Sequence, residues 1–179
     1  MAVATASAER PAVLRVRDDA RVVVGIGEMA LARAGGGVIV THALGSCVAV
    51  CVWDPASRTG GLVHVLLPES RINPTRAATQ PGTFADTGLP IFFRGFTEAG
   101  VDVRRCQIRL AGGAEVTGLA GSGSLNVGKR NLLAVRQWLW KAGLLVKAEA
   151  TGGTAARTAT LLLDSGTVQI RSGQTSTEI

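Results

Sequence analysis

The sequence predicts one globular α/β domain in which β-strands pack beneath helices, and three observations carry that expectation. The chain has 179 residues, the size of one domain, and a domain of roughly 150 residues buries about two thirds of its unfolded surface. It is 46% hydrophobic but only 4% aromatic, with no Tyr, so a core must be assembled mainly from Ala, Val and Leu, which suits strands under helices. Apolar runs of strand length recur between Gly and Pro breaks, while one longer stretch carries helical periodicity.

Residues 1–20 mix small and charged types without an apolar period and are read as a mobile extension, and residues 21–179 as the single folded domain. From Arg21, RVVVGIGEMALA predicts a short strand and a turn, and VIVTHALGSCVAVCVWDP predicts two strands around a Gly45-Ser46 break. Asp54-Pro55 closes the second, and Gly60-Gly61 opens a third, LVHVLL, which stops at Pro68. From Glu69 to Thr87 the chain holds Pro74, Pro81 and Gly82 among polar residues, the composition of a long surface loop and of a lid if it borders a site. A helix is expected from near Asp86, against the resistance of Gly88, Pro90 and Gly95.

Gln107–Leu110 reads as a strand running into Gly112-Gly113. Asn126 reads as the N-cap of a helix over 127–142, because Leu132, Val135, Leu139 and Ala142 recur at spacings of three and four and Gly143 stands where a C-terminal glycine belongs. LLVKAEA is the next strand, followed by a Gly152-Gly153 turn and a hairpin, TLLLDSGTVQI, with Asp164-Ser165-Gly166 as a three-residue connector.

No window approaches the roughly 20 apolar residues of a membrane span, and the opening residues lack the apolar run of a secretory signal, so a cytoplasmic protein with no membrane insertion is expected. Three cysteines, an odd number, argue against a disulfide framework and for thiols at Cys47, Cys51 and Cys106. The net charge of +6 comes from 19 basic and 13 acidic residues. The basic residues are scattered, with no aromatic stacking set and no recognition-helix motif, which argues against nucleic acid as partner.

With two histidines in the chain, any imidazole-assisted reaction must use His42 or His64. Cys47 follows the Gly45-Ser46 break at the head of an apolar strand, where backbone can present a side chain together with neighbouring N–H groups. His64 lies within an apolar strand and needs a polar partner on each ring nitrogen. Taken alone, a histidine or a cysteine in such a strand is more often a core residue, so the residues by themselves only suggest a Cys-His pair. Cys51, four residues after Cys47, and Cys106 read as structural. Metal-ligand spacings such as C-x-x-C are missing, the serine elbow G-x-S-x-G is incomplete at Ser46, and no G-K-[ST] follows the Gly pairs, so neither a metal nor a nucleotide cofactor is expected.

The stretch GIGEMALA, VIVTHALGSCVAVCVWDP and GGLVHVLLPES, continued by FADTGLP, LAGGAEV, NVGKRNLLAVRQWLWKAGL and AEATGG, resembles the CheD chemoreceptor glutamine deamidases. That resemblance implies Cys47 as nucleophile, His64 as its base and acid, and Thr41 as the third member of the triad. It implies a mixed, largely antiparallel β layer flanked by helices, similar to the catalytic domain of cytotoxic necrotising toxins. It also implies methyl-accepting chemotaxis receptors as substrates and the CheC phosphatase as a regulator where a cell has one. The expected reaction is thiolate attack on a glutamine side chain, an oxyanion held by the backbone N–H groups at Ser46 and Cys47, and a thioester hydrolysed to glutamate. Methyl-ester hydrolysis and transfer to an amine would share this chemistry, and a non-catalytic chemotaxis adaptor binding receptors or CheC is the rival reading.

Overall fold

The computed structural model describes residues 14–16, 21–33, 35–115 and 126–179. Among them the chain runs β1 (Leu14–Val16), β2 (Arg21–Val23), β3 (Met29–Arg33), β4 (Val38–Leu44), β5 (Val48–Asp54), β6 (Thr59–Val65), α1 (Pro74–Thr79), α2 (Ala85–Glu98), β7 (Gln107–Gly112), α3 (Val127–Lys141), β8 (Val146–Thr151), β9 (Arg157–Leu162), β10 (Val168–Ser172) and β11 (Thr175–Glu178). Short 3-10 turns at 70–72, 81–83 and 103–105 join some of these. No helix among the described residues is long and apolar enough to cross a membrane.

Two sheets form, one in the order β1-β3-β6-β5-β7-β8 and the other β11-β10-β9-β4-β2. Most neighbours are antiparallel, with parallel pairing of β1 to β3, β2 to β4 and β7 to β8. The first sheet is covered on both faces, which explains why β5 and β6 are buried along their whole length and read as continuous apolar runs. Its two faces follow the period of two: Val48, Val50 and Val52 join Phe92, Phe96, Val135 and Leu139 under α2 and α3, whereas Cys47, Ala49, Cys51 and Trp53 join Ile39, Leu44, Leu161 and Val168 of the second sheet. The molecule is therefore layered helix, sheet, sheet, an α/β architecture with largely antiparallel strands, as expected.

α2 forms despite Gly88, Pro90 and Gly95. Leu89, Phe92, Phe93 and Phe96 are buried on one side, with Phe92 and Phe96 edge-to-face at 5.4 Å, and Gly88 lets the helix approach Gly82, whose Cα would lie 2.8 Å from a Cβ at 88. Packing overrides local propensity here.

Three expectations need correction. The 69–87 segment is not an open loop: it contains α1, Ser70 N–H donates to Asp86 Oδ1 at 2.9 Å, Gln80 Nε2 donates to Ile26 O at 2.8 Å, and Leu66 and Leu67 N–H both donate to Thr83 O at 2.9 Å. Asn126 precedes α3 but does not cap it through its side chain, because it adopts the left-handed conformation with φ 54°, which Asn tolerates better than most residues. The β9–β10 connector runs from Leu163 to Thr167, tightened by Gly166 N–H donating to Leu162 O at 2.8 Å, so it is two residues longer than expected. Within residues 1–20, Leu14–Val16 adds an edge strand beside β3. The remainder of the stretch read as a mobile extension lies outside the described residues.

Candidate active site

Thr41 and His64 meet in the seam between the two sheets. His64 stands on β6 opposite Ala49 of β5 and is 1% exposed. Its backbone is fastened to the loop before β3, with Gly27 N–H donating to His64 O at 2.8 Å and His64 N–H donating to Glu28 O at 3.1 Å. Thr41, 0% exposed, comes from β4 in the facing sheet. Its Oγ1 lies 2.7 Å from Val24 O and 2.7 Å from His64 Nδ1.

Those two contacts fix the tautomer. A hydroxyl carries one proton, and Val24 O can only accept, so Thr41 donates to Val24 and must accept from His64 Nδ1–H. The ring is thereby held with Nδ1 protonated and the lone pair on Nε2. Nε2 is buried and has no hydrogen-bond partner among the described residues, which leaves that lone pair available to take a proton.

Cys47 follows from the strand register. Ala49 lies opposite His64 and Val48 opposite Val65, so Cys47, two residues before Ala49, is a diagonal neighbour of His64 on the same face. Such diagonals span about 7–8 Å between backbones, within reach of longer side chains. Cys47 is 6% exposed and packs with Leu44, Ala49 and Ala111 of the inter-sheet core.

The loop entering β5 is tied down by three successive carbonyls. Gly45 O accepts from Ala114 N–H at 2.7 Å, Ser46 O accepts from Asn131 Nδ2 at 3.0 Å, and Cys47 O accepts from Gly113 N–H at 2.7 Å. The contact with β7 is possible only without a side chain at 112, since a Cβ there would meet Cys47 O at 2.2 Å, and Gly112 has φ 103°.

Burial sets the electrostatics. It pushes the Cys47 thiol above its usual range, with the residue's own backbone N–H acting in the opposite sense, and pulls His64 from 6.5 down to about 4. At neutral pH both groups are uncharged, so the resting arrangement is a thiol and a neutral imidazole rather than an ion pair.

The other sequence candidates lie apart. His42 is exposed on β4, with its Nδ1 3.3 Å from Thr158 Oγ1. Cys51 is buried and its thiol is pushed up to about 12 by burial. Cys106 is half-buried, its Sγ 3.7 Å from Asp102 O, and is likewise pushed up to about 12 by burial. Sequence reasoning missed Asn131 and Gly112 as parts of this site. Asn131 lies four residues before Val135, on the buried stripe of α3, and a polar residue in that stripe signals a buried partner.

Comparison with known proteins places these features in context. The family model described as CheD chemotactic sensory transduction matches residues 66–172. The chain is 43% identical over 152 residues, 85% of its length and 94% of the relative's, to a protein of Anaeromyxobacter dehalogenans named probable chemoreceptor glutamine deamidase CheD 2. It is 41% identical over 150 residues to the probable chemoreceptor glutamine deamidase CheD of Syntrophotalea carbinolica, covering 83% of this chain and 91% of that one. It is 38% identical over 149 residues to the chemoreceptor glutamine deamidase CheD of Thermotoga maritima, covering 83% and 90%. Alignments of that length within 179 residues necessarily take in Thr41, Cys47 and His64.

Proposed function

Since the chain belongs to the CheD family, we propose that it deamidates glutamine side chains of methyl-accepting chemotaxis receptors, hydrolysing them to glutamate through a thioester on Cys47. The observation that carries this reading is the His64 ring, held by Thr41 as the Nδ1–H tautomer, with Nε2 unpartnered among the described residues and on the face that also bears Cys47.

The reaction begins from the uncharged pair. As the glutamine amide enters, the Cys47 side chain turns its S–H to His64 Nε2, which takes the proton while sulfur attacks the amide carbon. The C–S bond forms as the C=O π electrons move to oxygen. The oxyanion is met by the N–H groups at Ser46 and Cys47, whose peptides are oriented by the anchored loop; one such donor is worth about 3 to 4 kcal/mol of barrier lowering. The imidazolium, stabilised through Nδ1–H on Thr41, returns its proton to the departing nitrogen, the C–N bond breaks and ammonia leaves. His64 then takes a proton from water, whose oxygen attacks the thioester; the C–S bond breaks, the thiol is regenerated and glutamate remains on the receptor. Each turnover adds one negative charge to a receptor helix, where charge balance governs packing.

No cofactor is needed for this sequence of steps. Ester hydrolysis at a methylated glutamate would pass through the same thioester and is a secondary activity of the same site. Transfer of the acyl group to an amine would differ only in the acceptor. Where a cell contains the CheC phosphatase, it is the proposed regulatory partner. The rival reading, an adaptor that binds receptors or CheC without chemistry, has no use for a tautomer-locked histidine on the face that bears a cysteine. Mass spectrometry of a receptor cytoplasmic fragment after incubation tests the proposal: conversion of Gln to Glu with ammonia release is expected, and an unchanged fragment overturns it.

A further inference from the structure

We infer that Asn131 is the positioning residue that aims the oxyanion-binding N–H of Cys47, an inference that rests on the deamidase reading for its catalytic consequence. Asn131 is 0% exposed on α3. Its side-chain nitrogen donates to two carbonyls, Ser46 O at 3.0 Å and Leu66 O at 2.7 Å. Two acceptors on one atom settle which end of the amide is nitrogen, because the flipped amide would set oxygen against both carbonyls. The remaining atom, Oδ1, is buried with no hydrogen-bond partner among the described residues.

The two carbonyls lie where the β5–β6 ladder ends. Val48 pairs with Val65, and the next pair outward would be Cys47 with Leu66. There Leu66 N–H turns away to Thr83 O, and the Asn131 amide bridges the two strands in place of a ladder bond. Within a trans peptide the C=O and N–H point in opposite directions. Pinning Ser46 O therefore also sets the direction of Cys47 N–H, the donor that lies against the Cys47 sulfur and opposes the burial-driven rise of its pKa. Gly45 O and Cys47 O are held by backbone donors; the Ser46–Cys47 peptide is the one of the three whose carbonyl is held by a side chain. Without Asn131 this peptide can rotate, and the N–H leaves both the sulfur and the developing oxyanion.

The test uses Asn131→Ala and Asn131→Ser, which remove the amide with little added bulk, beside Asn131→Asp, whose carboxylate would face two carbonyl oxygens. For every variant with native circular dichroism, two quantities are measured: kcat and KM for ammonia release from a receptor cytoplasmic fragment, and the pH profile of Cys47 alkylation by iodoacetamide, mapped by peptide mass spectrometry. A fall in kcat of about 100-fold or more is expected, with KM close to wild type and the alkylation profile moved to higher pH. A folded variant with wild-type kcat and an unmoved profile overturns the inference, as does a loss confined to KM. If all three variants fail to fold, Asn131 is a structural residue and the inference is likewise overturned. The alkylation profile needs no receptor, so it decides the role of Asn131 even where wild type leaves the fragment unchanged and the deamidase reading falls.

Discussion

Thr41 Oγ1 stands 2.7 Å from His64 Nδ1 across the seam between two sheets, and its own proton is committed to Val24 O. The histidine of one sheet is thus oriented by a hydroxyl of the other, which is itself oriented by a backbone carbonyl. Thr41→Val keeps the shape and removes the hydroxyl, leaving Nδ1–H and Val24 O buried without partners. A loss of about 2 kcal/mol in stability is expected, with turnover reduced but less than by removal of Cys47 or His64. Thr41→Ser, which keeps the hydroxyl with more rotamer freedom, should fall between wild type and Thr41→Val. Single-turnover deamidation and urea midpoints for the three proteins check this.

Cys47→Ala should abolish ammonia release while leaving the melting temperature near wild type. Cys51→Ala and Cys106→Ala should retain most activity, although Cys51→Ala opens a small cavity in the inter-sheet core and lowers stability by about 1 kcal/mol. His42→Ala, on the exposed side of β4, should leave turnover unchanged. Ammonia release by the four variants, read against thermal melts, separates nucleophile from core.

His64 makes stability depend on pH. Its pKa is 6.5 ordinarily and about 4 in the folded protein, so between those values the unfolded chain binds more protons and stability rises with pH. The contribution is complete above the ordinary value and lost as pH falls toward 4, with a ceiling of about 3 kcal/mol. Denaturant midpoints should therefore drop between pH 7 and pH 5, and His64→Leu, in which Thr41 keeps its bond to Val24 O, should flatten that dependence.

Gly112→Ala should remove activity through the backbone alone. Its Cβ would meet Cys47 O at 2.2 Å at a φ of 103°, so either β7 withdraws or the Cys47 loop shifts. A loss of turnover with a lowered melting temperature is expected, whereas Gly143→Ala, whose Cβ would meet nothing within 4 Å, carries only the strain of its positive φ and should keep full activity.

The strands around the candidate site were legible because β5 and β6 are buried on both faces and so read as unbroken apolar runs, and α3 because its apolar residues recur at helical spacing. What stayed hidden depends on long-range partners. Nothing near Thr41 in sequence shows that its hydroxyl meets Val24 and His64; resemblance to a family alone points to it as a proposed third residue of the site. β11 is exposed along its length and has no apolar pattern to betray it; its pairing with β10 makes it a strand. The 69–87 segment looks like a surface loop by composition, because much of what holds it is hydrogen bonding, to Ile26, Leu66 and Leu67 and between its own Ser70 and Asp86, while its apolar anchorage comes late, at Phe84 and Ala85.

β4 takes its antiparallel partner from far along the chain, Thr41 pairing with Ala159 of β9, whereas β5, β6 and β7 find one another with shorter separations. During synthesis the cysteine and histidine strands can associate well before β9 has left the ribosome. The sheet that carries the Thr41 hydroxyl closes only later, since distant segments meet more slowly. Until β9 arrives β4 has only its parallel neighbour β2, so the seam in which Thr41 meets His64 gains its full second sheet only when the C-terminal strands have been made.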